Sequence, residues 1–376
     1  MTRTLFVLSG LLVLMTWPAQ AEEATQSATE LPAWLSAITP KADFRFRNET
    51  IDGEGLSLRN RQRIRARFGA VVALPGDVDF VIGLASGNDG DPVSGNQTLG
   101  EGFSKKPVWL DLGYADYHPN QIPGMHVLLG RMTNPFVPPG KTELMWDHDL
   151  HPEGINLSWS RAFGGIEPFA TGGAFWLEER SKTKDSMLLA GQAGLRVELL
   201  GGKLWFTAGG GFFDYTETKG SELFFYEDNS GGNSVDATDP DHPLYSHDYN
   251  LVEAFAELGG KIRGFPVALV ADFVQNLDPA QDNTGWLAGV VLGKAKDPLS
   301  FELRYSYRVL ERDAVLGAFT DSDFRGGGSD GKGHEASVGF ALTRHTAFGA
   351  TYFFNERGVD DGKSFHRAQV DVAFKL

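Results

Sequence analysis

Apolar and polar residues alternate along most of the chain, from Lys41 to the last residue, Leu376. A period of two places successive side chains on opposite faces of a β-strand, so each alternating stretch predicts a strand that faces two different environments. The pattern predicts sixteen strands, at 41–50, 59–74, 77–86, 108–118, 125–132, 154–161, 166–178, 186–199, 203–216, 249–262, 266–275, 285–294, 299–310, 334–343, 346–355 and 366–376.

The connections between these strands alternate in length. The links after even-numbered strands are short, and they are Pro75-Gly76, 119–124, 162–165, 200–202, 263–265, 295–298 and Arg344-His345. Most links after odd-numbered strands are longer, including 87–107, 133–153, 217–248 and 311–333. A barrel threaded through one membrane has this asymmetry, with short periplasmic turns and long extracellular loops. The sequence therefore predicts an all-β fold, a transmembrane antiparallel up-and-down β-barrel of about 16 strands. A secreted all-β binding protein, the alternative, has no reason to sort its loops in this way.

The N-terminal segment has the pattern of an export signal. Arg3 precedes an apolar run from Leu5 to Met15, and Ala19-Gln20-Ala21 forms a small-residue cleavage site. The run is too short to cross a bilayer as a helix, for which about 20 residues are needed. The sequence predicts three parts: a signal peptide at 1–21, a periplasmic N-terminal arm at 22–40 and the transmembrane β-barrel at 41–376.

Composition excludes several classes of protein. The formal net charge is −15, and loss of Arg3 with the signal makes it −16, which argues against nucleic acid as a partner. The chain has no cysteine, and no apolar run after the signal approaches 18 residues, so a helical membrane protein is excluded. A hydrophobic content of 41% fits a barrel, because one face of each strand meets lipid. The expected location is the bacterial outer membrane.

The second predicted strand carries arginine at every odd position from 59 to 67. Ile64, Ala66 and Phe68 occupy the other face. Each arginine placed against lipid at mid-membrane depth would cost about 2–4 kcal/mol, so the arginine face is expected to line a wet lumen. The same alternation in other strands extends this basic wall, whose predicted pore-lining members are Arg45, Arg47, Arg61, Arg63, Arg65, Arg67, Arg131, Arg304, Arg308 and Arg367.

Two interpretations of the basic wall follow from the sequence. It is either a ladder of positive charge that guides anions or anionic solutes, or a neutral and rigid wall in which each arginine pairs with an acid. The candidate partners are Asp43, Glu49, Asp371 and Glu302. The sequence leaves both open.

The loop at 133–153 combines prolines with apolar residues, including Phe136, Leu144, Met145 and Trp146. Such a composition favours a loop that packs against another protein surface and does not extend freely into solvent. If it enters the lumen, its constriction-loop acids Glu143, Asp147 and Asp149 would face the basic wall across the pore. The alternative is a loop that caps the rim or contacts another subunit.

This region also carries a resemblance to a known family. The stretch GRMTNPFVPPGKTELMWDHDLHPEGI resembles the putative porin family of Gram-negative outer membranes, in which an Asn-Pro-Phe segment precedes Trp-Asp-x-Asp-Leu-x-Pro-Glu-Gly. The signal, the strand rhythm and the final strand agree with that family over the mature chain. The resemblance implies a passive diffusion channel, and it implies neither a particular solute nor assigned binding residues.

No enzyme, metal or cofactor is expected. Without cysteine, catalysis by a thiol nucleophile is impossible. His148 and His151 lie among acids, but their spacing lacks the rigid pattern of a zinc site.

The leading functional hypothesis is a water-filled channel for small hydrophilic solutes with weak anion selectivity. The alternatives are a barrel that binds or exports one anionic solute or polysaccharide, and a structural barrel or adhesin with a plugged lumen. The expected partners are outer-membrane lipid and small hydrophilic or anionic solutes, and a homotrimer is left open.

Overall fold

A computed structural model describes residues 33–225, 230–239 and 241–376. The predicted signal peptide at 1–21 and most of the predicted arm lie outside the described residues. Sixteen long strands follow one another along the chain, and they are β1 (Ile38–Gly53), β2 (Arg59–Leu74), β3 (Val78–Ser86), β4 (Val108–Tyr117), β5 (Met125–Arg131), β6 (Glu153–Ser160), β7 (Ile166–Glu178), β8 (Ser186–Leu199), β9 (Leu204–Tyr215), β10 (Tyr249–Ile262), β11 (Phe265–Asn276), β12 (Thr284–Gly293), β13 (Ser300–Leu310), β14 (Gly331–Ala341), β15 (Thr346–Arg357) and β16 (Lys363–Lys375).

Each long strand pairs antiparallel with its sequence neighbours, and β1 pairs with β16, so the sheet closes on itself. In that closing pair Arg47 lies opposite Asp371. The predicted sixteen-stranded antiparallel barrel is confirmed. Its first strand begins at Ile38 rather than at the predicted residue 41, because Ile38, Thr39 and Pro40 continue the pairing of β1 with β2.

The two faces of the strands differ as the alternation predicts. In β1, Phe44 and Phe46 lie on the outer surface, whereas Arg47 and Glu49 are buried inside the barrel. Leu303 and Tyr305 of β13 are likewise exposed on the outside. Outer residues of this kind suit a hydrocarbon environment, and inner polar residues suit a lumen.

Short elements supplement the barrel. Gln97–Thr98 pairs with Arg63 and Ile64 of β2, beyond the point where β3 ends. Val235–Asp236 and Leu244–Tyr245 form a separate two-stranded sheet. An α-helix covers Ala33–Ser36, and 3-10 helices cover Pro139–Lys141 and Phe324–Gly326. Within the described ranges, no helix has the length and apolar character needed to cross a membrane.

The main apolar core lies inside the barrel. Inward side chains of β7 to β13, such as Phe175, Phe213 and Leu310, pack with residues from three long connections. Leu144 comes from the link after β5, Phe224 from the link after β9, and Val315 and Leu316 from the link after β13. The links 217–248 and 311–333 were predicted as extracellular loops, but they send apolar residues into the interior. Removal of these side chains from water favours this arrangement.

Candidate functional site in the barrel lumen

Seven arginines line one side of the lumen. They project from the inner faces of the three adjacent strands β16, β1 and β2, and we call them the arginine cluster: Arg45, Arg47, Arg61, Arg63, Arg65, Arg67 and Arg367. Their order follows from register, since Arg45 lies opposite Arg65 and Arg47 opposite Arg63. Guanidinium groups that face one another repel, so acidic partners are required to hold this arrangement.

Carboxylates at the closing seam supply part of this compensation. Arg47 donates hydrogen bonds from Nε and Nη2 to Asp371, both 2.8 Å long, and another from Nη1 to Asp323 at 3.0 Å. Arg367 also donates to Asp323, at 2.5 Å. Glu49, fully buried, forms ion pairs with Arg61, Arg63 and Arg367 and accepts a hydrogen bond from Gln369.

Asp43 and Asp149 compensate the periplasmic half of the cluster. Asp43 accepts from Arg67 at 2.9 Å, and Asp149 lies 3.1 Å from Arg65 and 3.2 Å from Arg67. Arg45 donates to Asn96 instead, at 2.7 Å, and has no carboxylate within 4.0 Å among the described residues. Five carboxylates thus pair with a cluster of seven arginines, so the cluster keeps an excess of two positive charges.

The other predicted wall arginines lie elsewhere in the barrel. Arg131, on β5, pairs with Glu153 at 2.8 Å. Arg304, on β13, pairs with Glu302 at 2.6 Å and donates to the carbonyl of Gly140 at 2.6 Å. Arg308, also on β13, is fully buried between Asp321 and Glu335, at 2.8 and 3.2 Å. The ten arginines therefore do not form one continuous wall.

The connection 132–152, called the lumen loop below, crosses the interior of the barrel. At one point its Asp149 contacts Arg65 and Arg67 of β2. At another, the amide of Gly140 donates to Glu257 of β10, at 3.0 Å. Strands β2 and β10 are opposite each other in a ring of sixteen, so a segment that touches both must span the lumen.

Apolar packing anchors the lumen loop to the wall formed by β7 and β9. The rings of Phe136 and Trp146 contact Phe213, with centroids 5.2 and 4.9 Å away, and Phe136 also packs on Phe175. The indole of Trp146 donates to the hydroxyl of Tyr215 at 2.9 Å. Each such aromatic contact adds about 0.5–1.5 kcal/mol to the free energy of burial, so these contacts hold the loop in one position.

The three predicted constriction-loop acids have different surroundings. Asp149 meets the arginine cluster: burial raises its pKa, but Arg65, Arg67 and Arg45 outweigh that effect and lower the pKa to about 2. The carboxylate of Asp147 accepts from the amides of Asp149 and Ser322, at 2.8 and 2.9 Å, and so shapes the loop backbone. Of the three acids, only Asp149 is within hydrogen-bonding distance of the cluster.

Glu143 forms a local pair with His148. Its carboxylate accepts from the His148 amide at 2.7 Å and lies 2.6 Å from Nδ1 of the imidazole. Burial, together with Asp321, raises the pKa of Glu143 well above its usual range, and burial with the nearby Glu143 does the same for Asp147. Burial lowers the pKa of His148. These groups bind each other rather than the arginines of β1 and β2.

Asp321 and Asp323 are site residues that the sequence pattern did not indicate. They lie in the link after β13, where an Asp-Ser-Asp segment has the composition of an exposed turn. Burial opposes ionisation of Asp323, yet Arg367 and Arg47 hold its pKa well below the usual range. The apolar residues Val315, Leu316 and Phe324 beside this segment are the sequence signal that could have indicated inward folding.

The wall opposite the arginine cluster is acidic. Glu253 and Glu257 of β10 and Asp272 of β11 face inward, and they are not among the site residues predicted from the sequence. Within the predicted strands 249–262 and 266–275, the alternation of inward and outward positions was the sequence signal that could have identified them. The described part of the chain contains no group of three or more His, Cys, Asp or Glu arranged to hold a metal ion.

A closed sixteen-stranded barrel whose lumen is narrowed by a folded loop and lined by charged side chains defines a class, the outer-membrane porins. A family model described as putative porin matches residues 53–254 and 261–375, and the chain belongs to this putative porin family. The resemblance carried by residues 130–155 is thereby confirmed.

Solved porin structures share the fold at low sequence identity. OprB of Pseudomonas putida is 14% identical with a TM-score of 0.60, over 91% of this chain and 95% of that one. OmpF of Salmonella typhi, solved in complex with daunomycin, is 10% identical with a TM-score of 0.55, over 92% and 100%. OmpT of Vibrio cholerae in its trimer form is 11% identical with a TM-score of 0.52, over 90% and 100%. A search of curated protein sequences gave no match.

Proposed function

We propose that this protein is a non-enzymatic channel through which small hydrophilic solutes diffuse passively across the outer membrane. The observation that carries the proposal is the path of the lumen loop, which runs from Arg65 on one wall to Glu257 on the opposite wall. A loop in this position narrows the barrel, and the charged lining of β16, β1 and β2 remains on one side of it. It therefore limits solute size while leaving a wet path.

The arginine cluster, on its side of the lumen, supports a weak preference for anions. The arginine cluster keeps two positive charges beyond its paired carboxylates, and Arg45 has no carboxylate within 4.0 Å in the described chain. The acidic excess of the whole chain includes exposed loop residues such as Asp236 and Asp239, where salt screens charge within about 10 Å at 0.1 M. A permeating ion meets the cluster at closer range than it meets those loops.

Planar-bilayer recording with a salt gradient tests the proposal. Purified protein should produce discrete conductance steps, and the reversal potential should indicate modest anion preference. Reconstituted protein that inserts but gives no conductance would instead support the structural barrel with a plugged lumen. A conductance with strong cation preference would contradict the role given to the arginine cluster.

Arg45 also favours a second candidate, a barrel dedicated to one anionic solute. A guanidinium with an amide partner and no carboxylate is able to exchange that partner for a substrate carboxylate or sulfate. Saturable block of the conductance by an acidic oligosaccharide would distinguish this function from unselective diffusion.

We further propose that the protein assembles as a homotrimer, since OmpT, which shares its fold, has been solved in a trimer form. Size-exclusion chromatography with light scattering in detergent tests this directly. A monomer under conditions that preserve the barrel would contradict it.

A further inference from the structure

Two buried carboxylates face the lumen loop from the wall opposite the arginine cluster. Glu253 on β10 and Asp272 on β11 point inward from adjacent antiparallel strands, and their side-chain positions are diagonal neighbours in the register. Only 6% of Glu253 and 4% of Asp272 is exposed. Diagonal positions lie about 7–8 Å apart at the backbone, and both side chains line one cavity on the inner face of the sheet.

These carboxylates lack the counter-charges found elsewhere in the lumen. Among the described residues, no Lys, Arg or His nitrogen lies within 4.0 Å of either one, whereas Glu49 and Asp323 each pair with two or more arginines. Glu253 accepts from Gln192 at 2.8 Å, and Oδ2 of Asp272 accepts from the Thr142 hydroxyl at 2.9 Å. The second oxygen of Asp272, Oδ1, is buried and has no hydrogen-bond partner within the described part of the chain.

A cavity of about 200 Å³ is lined by the two carboxylates and by residues of the lumen loop. Its polar lining includes Thr142 and Gln192, and the segment Val137–Pro139 and Met145 close it on the loop side. Asp147, whose two oxygens accept from the amides of Asp149 and Ser322, also lines it, as do His148 and His151. The Val137 carbonyl, which accepts from Gln192 at 3.2 Å, adds a further oxygen. Water occupies about 30 Å³ per molecule, so the space is sufficient for an ion that keeps several of its waters.

We propose that this cavity binds a divalent cation, with Ca²⁺ as the preferred ion. Two carboxylates match its charge, and water alone would not compensate two negative charges held away from solvent. All candidate ligands are oxygens, as Ca²⁺ prefers, and the irregular arrangement suits its flexible coordination better than the octahedron required by Mg²⁺. With only two carboxylates, affinity should fall in the weaker range, with Kd about 10⁻⁴–10⁻³ M.

The site would clamp the lumen loop to the barrel. Thr142 and Val137 belong to the loop, whereas Glu253 and Asp272 belong to the wall, so an ion bound among them ties the two together. The proposal that the ion binds rests on the geometry of the cavity alone. Its effect on conductance rests in addition on the proposed channel function.

Terbium luminescence provides a direct test, because Tb³⁺ occupies Ca²⁺ sites and is sensitised by nearby indoles. Trp146 lines the same cavity. Folded protein in detergent should show saturable Tb³⁺ emission on excitation of tryptophan, and Ca²⁺ should displace it while K⁺ at the same concentration does not. Absence of saturable emission would overturn the proposal and would leave a shared proton as the way the two acids are neutralised.

Charge-neutral variants assign the signal to the cavity. E253Q and D272N should each weaken Tb³⁺ binding at least about tenfold, and the double variant should abolish it. D239N is the control: Asp239 lies in an exposed loop and does not line the cavity, so Tb³⁺ binding should be unchanged. Unchanged binding in the double variant would place the ion elsewhere and overturn the proposal.

If the variants fold poorly, thermal unfolding of the wild-type protein tests the site without them. Millimolar Ca²⁺ should raise the unfolding temperature relative to EDTA, and an identical temperature in both would count against the site. Removal of Ca²⁺ with EDTA should also increase single-channel conductance by releasing the loop. If Tb³⁺ binds but no conductance is ever observed, the channel function fails while the cation site stands.

Discussion

Arg47 and Asp371 lie directly opposite each other where β1 meets β16, and the guanidinium donates two hydrogen bonds of 2.8 Å to the carboxylate. Planar, two-pronged contacts of this kind are among the strongest polar interactions in proteins. They occur here between strands that are the first and last of the barrel. The same pair that holds the seam also removes one positive charge from the lumen.

The variant D371N should therefore change both stability and selectivity. Arg47 would keep Asp323 as a partner, so the free energy of unfolding should fall by roughly 2 kcal/mol, less than the ~3–5 kcal/mol typical of a fully unpaired buried charge. The arginine cluster would gain one uncompensated charge, and the reversal potential should shift toward anions. Urea unfolding and bilayer recording measure the two effects. D239N, in an exposed loop, is the control and should alter neither.

Neutralising three arginines should act in the opposite direction. In R61Q/R63Q/R65Q, four arginines would face the five carboxylates of the cluster, so the reversal potential should move toward cation preference. The measurement is the same salt-gradient recording as for the wild type. An unchanged potential would mean that the paired arginines contribute no net field to the ion path.

Removing part of the lumen loop should widen the channel. Deletion of residues 137–145 leaves Phe136 and Trp146 to be joined, and their rings are already 5.0 Å apart between centroids. The barrel strands pair through their backbones and do not need this segment, so assembly should persist and single-channel conductance should rise. Loss of folding would show that buried Leu144 and Met145 are required for stability. Unaltered conductance would place the ion path away from the loop.

Gly140 sets how closely the lumen loop approaches the acidic wall. It has φ of +53°, and a Cβ there would lie 2.4 Å from Cγ2 of Val270. G140A should therefore push the loop off the wall and lower the unfolding temperature. V270A removes the obstructing methyl groups, so G140A/V270A should recover part of the loss relative to V270A alone. No recovery would mean that backbone strain, and not the contact with Val270, causes the effect.

The link between Asp149 and the arginine cluster should resist acid. The pKa of Asp149 is lowered from 3.8 to about 2. The contribution of its ion pairs to the free energy of unfolding is therefore complete above about pH 5 and disappears as the pH falls toward 2. The shift corresponds to about 2 kcal/mol at neutral pH. The titratable groups around it are Arg45, Arg65 and Arg67 on the barrel, Asp147 and His148 on the loop, and Asp91 in the link after β3.

Comparison of the wild type with D149N from pH 7 to pH 2 measures this effect. The difference in free energy of unfolding should be constant from pH 7 to about pH 5 and should vanish near pH 2. A difference that is already lost at pH 5 would show that Asp149 is not held by the arginines.

Strand positions and side-chain orientation were predictable because both depend on local alternation. The arginines of β2 could be assigned to the lumen from parity alone, since the cost of placing Arg63 or Arg65 in lipid decides the face. The crossing path of the lumen loop was indicated by Phe136 and Trp146, whose apolar surface needs burial.

The pairing of those arginines was only partly predictable. Asp43 and Asp371 are partners that register can supply, because they lie on neighbouring strands. Asp323 comes from a connection that folds inward after β13, and no periodicity marks where such a segment places its acids. The acids of the lumen loop show the same limit, since Asp147 bonds Ser322 of another connection and leaves Asp149 for the arginines.

The closing pair has a consequence for biogenesis. Arg47 and Asp371 are separated by 324 positions, so the contact requires both the first and the last strand of the barrel. Until β16 arrives, β1 presents an unpaired sheet edge to its surroundings, and such edges template aggregation. A chain truncated before Lys363 would retain fifteen strands and two permanent edges. Premature termination in the last strand should therefore be more damaging to the cell than loss of one channel, because the product is a nucleus for misassembly.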